Sequence, residues 1–266
     1  MQANFTFLGT GASSGSPRVG CSCEICLSSS LRNQRLRPSG VVRIGDRSLL
    51  LDVGPDFRQQ ALKYRLGALS GLLLTHTHYD HIAGLDELRA FNFSQKKPFP
   101  CLLSKESLDE LKVRYYYLFK KRGEGESDTV ELDCQILPGD AGVIDFLGVS
   151  VHYMSYWQGG MKVNGYRIGN FAYVSDIREY DGSIFVALKG VQKLVLSALR
   201  KEPNRVHLSL DEAVAFARKV GAEQTWLTHL SHSVDHETAC SSLPSDVQPG
   251  YDGLTFSFEL GSYARN

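Results

Sequence analysis

Apolar residues in this chain fall largely into short runs bounded by glycine, aspartate or asparagine. Phe5-Thr6-Phe7-Leu8, Val41-Val42-Arg43-Ile44 and Ser48-Leu49-Leu50-Leu51 are strand-length, and Gly45-Asp46 between the last two predicts a β-hairpin. Gly71-Leu72-Leu73-Leu74-Thr75 is a further strand that runs straight into His76, so polar chemistry begins at a strand end. The period then lengthens. One helix is expected from Ile82 to Phe91. Another is expected over Ser107 to Lys121, where Leu108, Leu111, Tyr115 and Leu118 recur at helical spacing. Its end, Lys120-Lys121-Arg122, suits the negative pole of the helix dipole, and Gly123 to Asp128 reads as a loop.

Strands resume at Val149-Ser150-Val151. Tyr166-Arg167-Ile168, the turn Gly169-Asn170 and Phe171-Ala172-Tyr173-Val174 form a second hairpin directed at Asp176, and Leu194-Val195-Leu196 is another strand. Ser209 followed by Glu212 is a capping-box signal. Ala213, Phe216, Ala217 and Val220 then supply one apolar face before Gly221 stops the helix. Thr225-Trp226-Leu227-Thr228 is a strand leading into His229. Strands followed by a helix, twice over, with polar clusters at strand ends, describe an α/β (α+β) chain. With no repeat, low-complexity tract or linker, a single domain over residues 1–266 is expected.

Composition narrows the function classes. The chain has 266 residues, 42% of them hydrophobic, and 29 Lys+Arg balance 29 Asp+Glu, for a formal net charge of zero. Without a long-range positive field, bulk binding to nucleic acid or to an anionic membrane is disfavoured. Met1 to Phe5 carries no basic n-region, and the apolar runs are too short to span a bilayer, so a cytoplasmic location is expected. Cys21, Cys23 and Cys26 crowd together while Cys101, Cys134 and Cys240 stand singly, which points to a metal site before a disulfide framework.

The richest chemistry lies in His76-Thr77-His78-Tyr79-Asp80-His81. Side chains alternate along an extended segment, so His76 and His78 point the same way and can reach one ion, while Asp80 and His81 can face a neighbouring one. This motif resembles the signature of the metallo-β-lactamase fold superfamily, a four-layer αββα sandwich of metal-dependent hydrolases. Leu51-Asp52-Val53-Gly54 resembles that family's upstream aspartate motif. Tyr173-Val174-Ser175-Asp176 resembles its bridging-carboxylate segment, and Leu227-Thr228-His229 its last histidine ligand.

A narrower resemblance, to the cyclic phosphodiesterase branch of that superfamily, rests on Gly9-Thr10-Gly11, the Cys21 to Cys26 cluster, Thr228-His229-Leu230-Ser231-His232 and Tyr251-Asp252-Gly253-Leu254. The resemblance implies a structural zinc on Cys21, Cys23, Cys26 and His232, and a general acid at His207. A Cys3His tetrahedron is complete without water. One departure stands out: the branch supplies another histidine in a loop before the second hairpin, where this chain has Gln158. His152 lies six residues earlier, about 20 Å along an extended strand. The amide oxygen of Gln158 is a weaker, harder ligand, better suited to manganese or magnesium than to zinc.

The resemblance thus implies a hydrolase of small, cyclic phosphodiesters with two divalent ions, zinc or manganese. His76, His78 and Gln158 would hold the first, Asp80, His81 and His229 the second, and Asp176 would bridge them. Asp80 and His207 are the expected catalytic residues, and Gln158 implies a weakened first site and reduced activity. A small phosphodiester is the expected partner, with homodimerisation left open. Two alternatives stand beside this: a tRNA end-processing endonuclease of the same fold, for whose protruding arm Cys101 to Leu137 looks short, and a catalytically impaired metal- and ligand-binding protein.

Overall fold

Two mixed seven-stranded sheets face one another in the computed structural model, which describes residues 2–120 and 128–261. In spatial order the first sheet is Thr255–Glu259, Gln2–Gly9, Ser39–Ile44, Arg47–Leu51, Gly71–Leu73, Phe99–Leu103 and Leu132–Ile136. The second is Val247–Pro249, Gln224–Thr228, Lys193–Ser197, Phe171–Val174, Met161–Ile168, Val149–Gln158 and Ala141–Phe146. Each sheet joins an antiparallel half to a parallel half. In the parallel halves the strands Arg47–Leu51, Gly71–Leu73 and Phe99–Leu103 lie side by side, as do Phe171–Val174, Lys193–Ser197 and Gln224–Thr228.

Continuous apolar runs form these parallel strands because both of their faces are buried. Leu49, Leu51 and Leu73 face the second sheet and join Phe5, Phe7, Tyr166, Phe171, Tyr173 and Val195 in the layer between the sheets. Leu50, Leu72 and Leu74, one residue out of phase, face outward and pack on Phe57, Leu85, Phe91, Leu108 and Leu111 of the covering helices. Across the molecule, Ala172, Val174, Leu194, Leu196 and Leu227 pack on Ile184, Ala213, Phe216, Ala217 and Ala239. These layers make the αββα sandwich that the resemblance implies.

The capped helix forms as read. Leu210–Val220 carries a full capping box between Ser209 and Glu212 and ends on left-handed Gly221. The expected helix over 82–91 does not form as one piece. Tyr79–Ile82 is a single turn, Leu85–Leu88 is a 3-10 turn, and Arg89–Gln95 follows. Gly84 explains the break: its N–H donates to the Val53 carbonyl at 2.8 Å, and a Cβ there would lie 2.4 Å from the Gly54 oxygen. This close approach fixes the ligand-bearing turn against the Asp52 strand end. The second expected helix starts earlier, at Lys105, and stops at Arg114. Tyr115 leaves helical geometry before one more turn, Tyr116–Phe119. Lys121 and Arg122, and Gly123 to Asp128 apart from Asp128 itself, lie outside the described residues.

The strand read at 149–151 is much longer, Val149–Gln158, and Gln158 is its last residue, paired with Met161, rather than part of a loop. His152, on the same strand, pairs with Val143 and Arg167 and is not brought into the site, as the length of the extended chain requires. No helix among the described residues is long and apolar enough to cross a membrane.

Candidate metal centre

The functional side chains collect beyond the carboxyl ends of the parallel strands of both sheets, where chains diverge and open a crevice. Asp52, Asp176 and His229 sit at or just past three of those ends, and all three adopt left-handed backbone, with φ of 58°, 55° and 59°. Non-glycine residues in this region cost about 1–3 kcal/mol each unless the surroundings over-determine them. Here the turn points each side chain into the space between the sheets.

The first sheet supplies the ligand-bearing segment. Asp52 is fully buried. Its Oδ1 accepts from the Thr75 backbone N–H at 2.8 Å, its Oδ2 from the Thr75 hydroxyl at 2.8 Å, and Oδ2 lies 2.7 Å from His81 Nδ1. A proton on His81 Nδ1 serves that contact and leaves Nε2 as the outward ligand atom, the device by which a carboxylate fixes the tautomer of a metal-binding histidine. Thr75 repeats it for His76, with Oγ1 2.9 Å from Nδ1, and His76 Nε2 then lies 2.9 Å from His78 Nδ1. Thr77, pointing the other way by alternation, donates to Glu110, while Arg114 donates to the Thr77 carbonyl at 2.7 Å. The metal-facing and scaffold-facing residues thus alternate along one strand extension.

The second sheet closes the site. His81 Nε2 lies 3.5 Å from Asp80 Oδ2 and 3.2 Å from Asp176 Oδ2; His229 Nε2 lies 3.2 Å from Asp80 Oδ2 and 3.2 Å from Asp176 Oδ1. The edge of a tetrahedron around an ion with bonds of 2.0–2.2 Å is about 3.3–3.6 Å, so Asp80, His81 and His229 are spaced as ligands of one ion, with Asp176 reaching His81 and His229 through different oxygens. His76, His78 and Asp176 form a second convergent set. Buried His81 Nε2 has no hydrogen-bond partner, which fits an atom aimed at an ion.

Electrostatics point the same way. Burial opposes charge on Asp176 and Asp80, yet His229 and His81 hold both well below the usual carboxylate range. Burial also opposes charge on His81, but Asp176, Asp80 and Asp52 push it well above the ordinary histidine value. Burial lowers His76 and His78, which keeps both imidazoles neutral and available as donors. Buried carboxylates need buried positive charge, and divalent cations would supply it in place of protons.

Gln158 and His207 complete the wall. The Gln158 amide nitrogen lies 3.2 Å from Asp176 Oδ1 and 3.1 Å from both ring nitrogens of His207, while its Oε1 is buried without a partner. His207 stacks beside His229 at 4.5 Å between ring centroids, and burial, with His229 adjacent, pushes it down to about 4. These residues, with Ser13, Tyr79 and Val206, line a cavity of about 420 Å³, in the range of small-molecule sites.

The cysteines gather elsewhere. Sγ of Cys21, Cys23 and Cys26 lie 3.6, 3.5 and 3.5 Å from His232 Nδ1. With Zn–S near 2.3 Å and Zn–N near 2.0–2.1 Å, the tetrahedral S···N edge is about 3.5–3.6 Å. The four donors therefore fit one zinc. The backbone N–H of Cys26, then His232, push the Cys23 thiol down to about 6, whereas burial pushes Cys26 up. Such a zinc would tie the N-terminal loop to the segment following His229. Cys23→Ser is expected to remove one zinc per chain and lower the melting temperature by at least about 5 °C, or roughly 2 kcal/mol at this chain length. Cys23 is exposed, so the hydroxyl itself perturbs little. Unchanged zinc content and melting would contradict the site.

The remaining motifs have structural explanations. Glycine is required at Gly9 and Gly11, where a Cβ would lie 2.0 Å from the Arg37 oxygen and 2.8 Å from the Arg35 oxygen. Thr10 and Ala12 hydrogen-bond Leu230, next to His229. Asp252 accepts from the Thr10 and Leu36 backbone N–H groups, so the Tyr251 to Leu254 motif ties three segments together. His236 is buried, with its N–H donating to Asn33 Oδ1 at 2.9 Å.

Comparison with known proteins agrees with this geometry. Residues 47–230 match the family described as the beta-lactamase superfamily domain. A solved structure described as a new diphosphatase from the PhnP family superposes with a TM-score of 0.90 at 33% identity, covering 98% of each chain. The short form of human tRNase Z superposes with a TM-score of 0.71, over 97% of this chain and 99% of that one; its 17% identity shows the shared fold alone. An octanoyltransferase of Porphyromonas gingivalis is 30% identical over 250 residues, 93% of this chain and 50% of that protein. The chain spans about half the length of that curated relative.

Proposed function

The chain belongs to the metallo-β-lactamase superfamily of metal-dependent hydrolases, and from that premise we propose that it hydrolyses a small phosphodiester, cyclic substrates included. The observation that carries this reading is a small cavity lined by members of two convergent ligand sets together with His207, which belongs to neither. His76, His78 and Asp176 make up the first set; Asp80, His81 and His229 make up the second, with Asp176 beside it as the reading's bridging carboxylate. Gln158 Oε1 is buried without a hydrogen-bond partner, which supports reading it as a weak additional ligand of the first ion.

Divalent ions bound there would activate water near neutral pH and neutralise charge on the phosphoryl oxygens. The chain's own residues do the rest. Asp52 and Thr75 hold His81 and His76 in the ligating orientation, and the cavity of about 420 Å³ suits a small substrate. Hydrolysis adds the elements of water across one P–O bond. The phosphorus gains an oxygen, and the departing oxygen leaves with a proton that His207, in this reading, donates. The neutral state of His207 in the free site is countered when an anionic substrate sits against it, because nearby negative charge favours the imidazolium.

Phosphoryl chemistry is favoured over other reactions of this superfamily by the likeness to the PhnP-family diphosphatase and by the Cys3His cluster. Octanoyl transfer has no support in the cavity, whose described lining includes neither cysteine nor lysine as an acyl acceptor. The neutral chain favours a small substrate over tRNA. The test is a panel of five-membered cyclic phosphodiesters, linear phosphodiesters and diphosphates, assayed with zinc or manganese. Turnover of cyclic or linear diesters is expected; cleavage of diphosphates alone would overturn the assigned substrate class.

A further inference from the structure

The single turn Tyr79–Ile82 sends three of its four side chains inward. Asp80 and His81 join the ligand sets and Ile82 enters the apolar layer under the covering helices, each 5% exposed or less. Tyr79, the remaining member, is 66% exposed, yet it lines the same cavity as its neighbours His78 and Asp80. Its ring is the one phenyl or indole ring in that described lining, and so much exposure leaves a face open to whatever occupies the mouth.

The backbone under this ring is held. The Tyr79 carbonyl accepts from the Ala83 N–H at 3.0 Å, the His78 carbonyl from the His81 N–H at 3.0 Å, and the Ile82 carbonyl from the Tyr115 hydroxyl at 3.4 Å. The Asp80 carbonyl lies so near Gly54 that a Cβ there would stand 2.1 Å from the oxygen. With its backbone fixed between two ligand residues, a tyrosine has two side-chain torsions left, so little freedom is lost when a group stacks on it.

The rest of the rim indicates what kind of group fits. Asp80, Asp176 and His229 are buried whereas Tyr79 and Val206 reach solvent, so the cavity grades from a ligating floor to an apolar rim. Val206, 43% exposed, stands beside Gly159, where a Cβ would lie 3.8 Å from Val206 Cγ1. The described lining holds neither lysine nor arginine. Phosphoryl charge is therefore met at the floor, and the rim meets the uncharged part of the ester.

We propose that Tyr79 determines substrate choice at this site: its ring is a platform at the mouth on which a flat aromatic ring, such as a nucleobase carried by one arm of the phosphodiester, stacks. This rests on the phosphodiesterase reading above and names the class of ester within it. An aromatic side chain offers its face to any such ring, so ring shape rather than base identity is selected.

The probe pair is adenosine 2′,3′-cyclic phosphate and the same ribose cyclic phosphate with hydrogen in place of the base, assayed with manganese. The reacting ester is the same in both, so the ratio of their kcat/KM values reads the ring alone, and partial loss of metal or fold in a variant cancels. A ratio of about five- to tenfold favouring the base-bearing diester is expected, the lower range of base–aromatic stacking. The difference should fall on KM, since the stack is present in ground state and transition state alike. Tyr79→Phe keeps the ring and is expected to keep the ratio; Tyr79→Leu and Tyr79→Ala are expected to bring it near one. A parent ratio near one, a ratio that survives Tyr79→Ala, or a loss in Tyr79→Phe equal to that in Tyr79→Ala would overturn the proposal.

Binding supplies a readout without turnover. Adenosine 3′-monophosphate is expected to bind the metal-loaded parent at least about fivefold more tightly than its base-free counterpart, and Tyr79→Ala to erase the difference. Equal binding by the parent would overturn the platform. If the parent cleaves no phosphodiester yet shows this difference, the functional reading fails and the platform stands; equal cleavage of both diesters keeps the reading and removes the platform.

Discussion

Asp80→Ala is expected to reduce phosphodiester hydrolysis by about ten-thousandfold or more, the scale seen when one member of a catalytic unit is removed. Asp80 Oδ2 stands within 3.2–3.5 Å of both His229 Nε2 and His81 Nε2, so its loss removes one of the three members of that convergent set. It also leaves His81 and His229 facing each other with one carboxylate fewer to balance them, at a fully buried position. Bound metal should fall by one ion per chain, with the zinc at Cys21, Cys23, Cys26 and His232 retained because that cluster shares no residue with this set. Turnover within tenfold of the parent, or loss of the cysteine-bound zinc instead, would contradict the assignment.

His207→Ala is expected to lower turnover by about a hundred- to ten-thousandfold for a substrate with a poor leaving group, the usual worth of a general acid. A nitrophenolate leaves without a proton, so the same variant should be far less impaired on nitrophenyl esters. Bound metal should not change, since neither the His76, His78 and Asp176 set nor the Asp80, His81 and His229 set includes His207. Equal slowing of both substrate types, or loss of an ion, would instead make His207 a ligand. The donor set Asp176, His207 and His229 would be the place to look for it.

The parts of this site that are local in the chain were legible in the sequence. Period-two alternation placed His76 and His78 on one side of a strand extension, with Thr77 on the other. The spacing of Ser209, Glu212 and Gly221 located a helix whose caps form as read. Asp176, His229 and the Cys3His cluster were legible only through resemblance, because their partners lie far away in the sequence; His232, for example, is 211 residues from Cys21.

What periodicity missed depends on tertiary approach. Nothing in the pattern over Ile82 to Phe91 shows that Gly84 must press against Gly54 and break the helix. Thr75 was read only as a strand residue, although a hydroxyl directly before a His-x-His motif is a signal for a group that orients the first imidazole. Gln158 was legible as a departure, but its contacts with Asp176 and His207 cross 18 and 49 residues and emerge only from the packed sheets.

Ions in the buried His/Asp site are expected to drive phosphodiester hydrolysis. The most direct test strips the protein with a chelator until one zinc per chain remains, then titrates zinc or manganese while following metal bound and diester cleaved together. Negligible turnover is expected at the start, with a rise that follows occupancy of the His/Asp site and is absent from Asp80→Ala. Full turnover in the stripped protein, or a fully loaded parent that cleaves no phosphodiester, would contradict that role for the ions.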